Sequence, residues 1–286
     1  MVGHRLWIAL SGEHEVWATV RTEAAAVPEL PSIDRTRICD RVDVTRSDHL
    51  WRSFERVRPE VVINCVGLVK QRAEANDEVL AITVNALVPH QVAELCRATG
   101  ARMVHISTDC VFSGRGGSYT EDDRPDPEDL YGRTKLLGEV VRDPAITLRT
   151  SFIGRELRTR QGLTEWFLAQ QGQVRGYTRS VFSGLTTHAF ARAVIEHVLP
   201  HPELRGLYHV SSAPISKYEL LDLMRRLYGR EIQIIPGAAP VCDRSLDSTR
   251  FRKATAFRPT GWEQMIQEMA SDPSQQRGEE RERAFV

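Results

Sequence analysis

The rhythm of the first half of the chain constrains the fold most. Four short runs rich in β-branched residues, EVWATV (15–20), VVINCVG (61–67), RMVHIS (102–107) and AITLRT (145–150), are each separated from the next by a stretch long enough for a helix. Apolar strands of this kind are buried on both faces, and the intervening helices cover them. The pattern predicts an α/β fold built on a doubly wound parallel sheet.

Past residue 160 the alternation loosens. Helices are predicted near 162–172, 186–199, 216–229 and 261–270, with strands at GLYHVSS (206–212) and EIQIIP (231–236). The expected organisation is a Rossmann-like dinucleotide-binding domain over 1–160, joined by packing from 184–212. A smaller substrate-binding region spans 161–270, and a polar, frayed tail covers 271–286. In an open parallel sheet the ligand sits beyond the C-terminal strand ends, so the residues just after each run are the ones to inspect.

Composition excludes several classes. The 286 residues carry 38 basic and 38 acidic side chains, with a pI near 7.1, so no basic field invites nucleic acid or an anionic membrane. No apolar run approaches the roughly 18 residues needed to cross a bilayer, and no basic-then-apolar leader is present, so a cytoplasmic location is expected. The five cysteines are far apart, without C-x-x-C or zinc spacing, so reduced thiols and no metal are expected.

After RMVHI comes STDCVFSG, and 23 residues beyond Thr108 stands YGRTK. Tyr131 and Lys135 are four apart and share one face if LYGRTKLLGEVV is helical. An ammonium beside a phenol favours phenolate and makes a tuned acid/base. The chain has only four lysines against 34 arginines, so a lysine here points to a task for a compact charge rather than a planar fork.

These stretches resemble the extended short-chain dehydrogenase/reductases, and within them the dTDP-4-dehydrorhamnose reductase group, with its S-T-D-x-V-F-x-G stretch and Y-G-x-[ST]-K-x-x-G-E helix. The similarity continues through VVINCVGLVKQ, TVNALVPHQVAELC, LRTSFIG and DRSLDSTRFRKATAF, and covers residues 1 to about 270. It implies NADPH-dependent reduction of a nucleotide-linked 4-keto sugar. By position, Thr108 would hold the substrate carbonyl and the Tyr131 hydroxyl, Tyr131 would donate the proton, and Lys135 would lower the pKa of Tyr131 and bind the nicotinamide ribose. Asn85 would support the proton relay or merely open its helix; Ser107 would act directly or simply end a strand. The cofactor would meet Gly3, Asn64, Cys65, Val66 and Gly67. Arg21 would accept a 2′-phosphate, which favours NADPH, while Glu23 leaves NADH open. Asp43 matches the adenine-amino contact, and the substrate would meet Thr108, Asp109, Cys110, Trp166 and Thr186.

Two departures qualify the resemblance: QGLTEWF places Gln161 where histidine is usual, and Thr186 stands where the family's G-x-P-T turn has proline. Dehydration is disfavoured because Cys110, not glutamate, follows Asp109. Two alternatives stay open: an epimerase-reductase pairing Cys110 with His188, and a non-catalytic, cofactor-binding regulatory subunit. A nucleotide sugar is the expected partner, and a homodimer is left open. Finally, the family begins with a strand and G-x-x-G-x-x-G, of which Gly3 would be the last glycine. About ten further residues are therefore expected before Met1 in the natural protein, and a chain without that central strand is expected to bind NADPH poorly and to be of low stability.

Overall fold

The computed structural model describes residues 1–30, 33–69, 73–157 and 161–272. Helix α1 (Val2–Leu10) buries Leu6, Trp7 and Leu10 and leads into a parallel ribbon of β1 (Ala18–Thr19) and β2 (Ile38–Cys39). Helix α2 (Ser47–Val57) precedes β3 (Val61–Asn64). Then α3 (Glu78–Ile82), one wider π turn (Thr83–Leu87) and α4 (Val88–Thr99) run on as one helix into β4 (Arg102–Thr108). Gly100 ends it in the left-handed region (φ 75°), where a Cβ would be strained. Helix α5 (Leu130–Leu137) is followed by β5 (Ala145–Thr150).

The second half is shorter in its elements. It runs through β6 (Phe152–Ile153), α6 (Leu163–Leu168), β7 (Gln173–Tyr177), β8 (Ser180–Phe182), β9 (Leu185–Thr186), α7 (Thr187–Ala193) and β10 (Gly206–His209). It ends with β11 (Ile215–Ser216), α8 (Lys217–Leu227), β12 (Gln233–Gly237), β13 (Cys242–Asp243), α9 (Thr249–Thr255) and α10 (Trp262–Ala270). Helix α8 begins at a reciprocal capping box between Ser216 and Glu219.

The main sheet has the order β10-β5-β4-β3, parallel throughout. Every residue of β4 and β5 is buried, which is why their sequences lack a polar alternation. The β1-β2 ribbon shares no ladder with this sheet among the described residues. In the doubly wound order the two would stand on either side of the first strand.

The largest apolar core joins both halves of the chain: Val104, Ile146 and Leu148 from the sheet meet Phe167, Phe190, Leu220 and Met265. Burying one such side chain contributes roughly 1.5–3 kcal/mol, so the halves stabilise each other. A second core packs Leu50 and Phe54 of α2 against Val88, Val92, Ala93 and Cys96 of α4 and Met103 of β4. Contrary to the sequence expectation, one helix, Glu78–Thr99, has the length and composition to cross a membrane. In this fold Val88, Val92, Ala93 and Cys96 of its C-terminal half lie in that second core, while Val79, Ile82 and Leu87 are exposed.

Asp272 is held by Arg5 (2.6 Å) and His188 (2.7 Å), so the expected frayed tail does not begin at 271. Residues 273–286, the rest of that tail, lie outside the described residues.

Candidate active site

Thr108 ends β4, and its hydroxyl caps the following turn by accepting the Cys110 amide at 3.1 Å. The same hydroxyl lies 3.2 Å from Asp109 Oδ1 and is near enough to the Tyr131 phenol to oppose the rise in its pKa. Tyr131 and Lys135 sit one turn apart on α5, Tyr131 half-buried and Lys135 buried. Close contact of α5 with the strand end depends on Gly132, since a Cβ there would overlap the Cys110 carbonyl. Helix α5 stops at Leu137 rather than running through the whole LYGRTKLLGEVV stretch. Gly138 faces the Asn85 carbonyl too closely for any side chain.

The electrostatics differ from the expectation that Lys135 acidifies Tyr131. The Lys135 ammonium donates to the Ile106 carbonyl at 2.7 Å. Burial pulls its pKa down to about 8, against the raising pull of Glu139 and Cys65. Burial drives the Tyr131 hydroxyl well above the ordinary phenol range; Cys110 and Asp109 add to this and Thr108 opposes it, with Lys135 not among the main influences. Tyr131 is therefore a protonated donor at neutral pH.

Asn85 lies buried in the π turn, and its side-chain amide is fully engaged. The oxygen accepts from Leu68 N (2.8 Å), while the nitrogen donates to Leu68 O (3.0 Å) and Thr134 Oγ1 (3.2 Å). It thus clips the loop after β3 to the turn of α5 that carries Lys135. Within that loop the buried Asn64 accepts from Val66 N (3.1 Å) and contacts His105 Nδ1 (3.2 Å). Cys65 is a thiol pushed up to about 12 by burial, and it meets α1 at Gly3, where a Cβ would come within 3.4 Å of Cys65 Cβ. Gly67 faces the Asn85 oxygen. Arg21 is exposed just past β1. Asp43 folds into its own turn, accepting from Thr45 N and Oγ1, with Arg21 among the charges that hold its carboxyl low. Gly3, Asn64, Cys65, Val66, Gly67, Asn85 and Lys135 thus gather at one end of the sheet, with Arg21 and Asp43 on the separate ribbon.

On the other flank, Asp109 is buried, its carboxyl raised by burial and lowered by Lys217 and Arg244. Cys110 is half-buried, its sulfur 3.8 Å from Arg244 Nη1. Trp166 is 39% exposed on α6, so it is not the core aromatic that helical spacing suggests. Two expectations are corrected. Thr186 is fully buried and caps α7 by accepting the Ala189 amide, so it is a structural residue and not a surface contact. His188 bonds Asp272, 2.7 Å away, and packs with His4 and Arg5 rather than with Cys110.

Sequence reasoning missed four residues at the site. Glu139 and Arg149 form a buried ion pair behind Ser107. Lys217 places its ammonium 3.6 Å from the Phe182 ring, and Arg244 donates to Phe112 O at 2.8 Å. Lysine scarcity could have flagged Lys217 just as it flagged Lys135.

A Rossmann-like sheet with Thr108 at a strand end and Tyr131 and Lys135 on the adjoining helix goes with an enzyme of the short-chain-reductase type. Within that class the chain belongs to the RmlD substrate binding domain family, which matches residues 1–274. It is 30% identical over 237 residues to the spore coat polysaccharide biosynthesis protein SpsK of Bacillus subtilis, covering 78% of this chain and 82% of that protein. It is 31% identical over 218 residues to a dTDP-4-dehydrorhamnose reductase of Burkholderia thailandensis, covering 71% of each. The fold is similar to the crystal structure of dTDP-4-dehydrorhamnose reductase from Bacillus anthracis in complex with NADP. There the TM-score is 0.71 at 20% identity, over 83% of this chain and 91% of that one.

Proposed function

We propose that this chain is an NADPH-dependent reductase of a nucleotide-linked 4-keto sugar, most like dTDP-4-dehydrorhamnose reductase. The observation that carries the reading is the grouping of Thr108 at the end of β4 with Tyr131 and Lys135 one turn apart on α5, held against that strand end at Gly132. The relatives from Burkholderia thailandensis and Salmonella typhimurium are dTDP-4-dehydrorhamnose reductases.

The residues present fit a dinucleotide. Helix α1 meets Cys65 through Gly3 at the strand ends where a dinucleotide binds in this fold. Lys135 spends one bond on Ile106 O and has further donors for a ribose hydroxyl. Gly3, Asn64, Cys65, Val66 and Gly67 would line the pyrophosphate and ribose, Asp43 would meet the adenine, and exposed Arg21 would take the 2′-phosphate, selecting NADPH over NADH. When bound, the cofactor supplies the hydride.

The chain's own residues then handle the proton. Thr108 and Tyr131 hold the sugar ketone by its oxygen, and Tyr131 transfers its hydroxyl proton to that oxygen as charge develops there. Thr108, beside it, steadies the resulting phenolate, and Lys135 holds the nicotinamide ribose. Asn85 keeps the loop after β3 and the Lys135 turn in one arrangement. Ser107 supports the strand end from behind. Asp109, Cys110 and the exposed Trp166 face the sugar and nucleotide. In this reading residues up to 160, with β10, form the cofactor half and 161–270 the substrate half. Assembly as a homodimer would use the apolar face of Val79, Ile82, Leu87, Leu137 and Val141, all exposed. Light scattering on the wild type and Leu137→Glu tests that separately.

The test is oxidation of NADPH in the presence of dTDP-4-dehydrorhamnose, by wild type and Tyr131→Phe. Turnover is expected, with kcat lowered about 10²- to 10⁴-fold in the variant. No turnover of any nucleotide-linked keto sugar by the wild type overturns the reading. Solvent deuterium entering beside the ketone, and lost in Cys110→Ser, would favour the epimerase-reductase instead.

A further inference from the structure

Ser107, Arg149 and His209 stand in register across β4, β5 and β10, forming a polar row on one face of the sheet. Glu139, two residues beyond α5, closes that row. Its Oε1 accepts from Ser107 Oγ (2.7 Å) and Arg149 Nε (2.7 Å), and its Oε2 accepts from Arg149 Nη2 (2.7 Å). The two side chains are only 3% and 5% exposed. Behind Arg149, His209 Nδ1 lies 3.0 Å from the Tyr119 carbonyl. A carbonyl only accepts, so Nδ1 carries the proton and the bare Nε2 faces Arg149 Nη1 at 3.4 Å. The imidazole is thereby fixed neutral, in keeping with a pKa lowered to about 4 by burial and by Arg149.

A buried ion pair is a poor stabiliser, because desolvation offsets most of its Coulombic gain, and apolar replacements of equal volume are often neutral or better. Its geometric effect is large: a bidentate fork fixes both distance and angle. The fork ties the stretch after α5 to β5, and through Ser107 to the residue beside Thr108.

We propose that Glu139 is a positioning residue of the active site, its carboxylate clamped by Arg149 so that Ser107 and helix α5 hold Thr108, Tyr131 and Lys135 in one register. The proposal rests on the reductase reading for its consequence in turnover, but its geometry does not. Facing Lys135 are Glu139 and Tyr131 from its own segment, His105 from β4 and Cys65 after β3; among these, Glu139 is the stronger charge holding the ammonium protonated against burial. Loss of that carboxylate has two separable effects, one on register and one on the Lys135 proton.

The experiment compares wild type with Glu139→Gln and Glu139→Asp. Lysine is labelled with ¹³C and ¹⁵N, giving four side-chain signals, and Lys135 is assigned by Lys135→Arg. The Lys135 titration is followed alongside the pH profile of NADPH oxidation. In Glu139→Gln the Lys135 midpoint is expected to fall by roughly one unit, taking the alkaline limb of kcat/KM with it, and kcat to drop about 10- to 100-fold with a smaller change in KM. Glu139→Asp keeps the charge on a shorter arm, so its midpoint stays near wild type while kcat still falls.

An unchanged Lys135 midpoint in folded Glu139→Gln, or wild-type kcat in folded Glu139→Asp, overturns the proposal. If Glu139→Gln does not fold, Glu139→Asp alone decides on kcat. If the wild type reduces no keto sugar, the reductase reading fails, while the titration of Lys135 still decides whether Glu139 acts on it.

Discussion

Lys135 brings its ammonium into a site where the Ile106 carbonyl is its one hydrogen-bond acceptor among the described residues, and burial lowers its pKa from 10.5 to about 8. The sign of the linked stability follows from proton counts. Below about pH 8 the lysine is charged folded and unfolded, and the folded state bears the whole desolvation cost. Between about 8 and 10.5 the unfolded chain still holds a proton that the folded chain has released, so this group's contribution to stability rises with pH. Catalysis, which uses the charged form, declines over the same window. Lys135→Met is therefore expected to be more stable than wild type at pH 7, by up to about 3 kcal/mol, and inactive. Urea denaturation at pH 7 and pH 10 checks this, and the stability difference should shrink at the higher pH. A difference that stays constant would show that the ammonium is not strained by burial.

At the scale of elements, the catalytic helix is set by what cannot be added to it. A Cβ at Gly132 would overlap the Cys110 carbonyl, and one at Gly138 the Asn85 carbonyl. Helix α5 thus lies backbone to backbone on the turn after β4 at one end and on the π turn at the other. Gly138→Ala is expected to cost about 1–3 kcal/mol, as overpacking does, and to lower kcat by displacing Tyr131 and Lys135. Gly12→Ala, with nothing within 4 Å of the added carbon, is the control and should leave both unchanged. Thermal melting and NADPH oxidation measure the two effects.

These contacts also mark where sequence reading stops. The strands over 102–108 and 145–150 and the Tyr131–Lys135 spacing were legible because burial on both faces leaves an uninterrupted apolar run and because a helix repeats every 3.6 residues. The Glu139–Arg149 clamp was not, since it joins residues ten apart that meet only when the stretch after α5 folds back onto β5. Thr186 was misjudged because a turn motif does not say which side a neighbouring element covers. The family resemblance supplied Thr108 and Asn85 as candidates; only the packing shows Asn85 clipping Leu68.

The whole molecule carries a second set of titrating groups that works in the opposite pH range. His209 and His105 are fully buried. Burial lowers the pKa of His209 from 6.5 to about 4 and holds that of His105 well below 6.5. Both stand in the sheet beneath the site, His209 backing Arg149 and His105 touching Asn64. A depressed imidazole contributes stability that is complete above about pH 6.5 and is lost as the pH falls through the folded value, because the unfolded chain takes up the proton first. Acid should therefore weaken the fold between pH 6.5 and 4, before most carboxylates titrate. In His209→Gln the amide can still donate towards Tyr119 O and no longer ionises. The loss of unfolding free energy between pH 7 and 4.5 should then be smaller than in wild type by about 2–3 kcal/mol. Denaturant titrations at the two pH values measure it. An equal loss in both proteins would mean that the neutral imidazole of His209 does not govern how the sheet responds to acid.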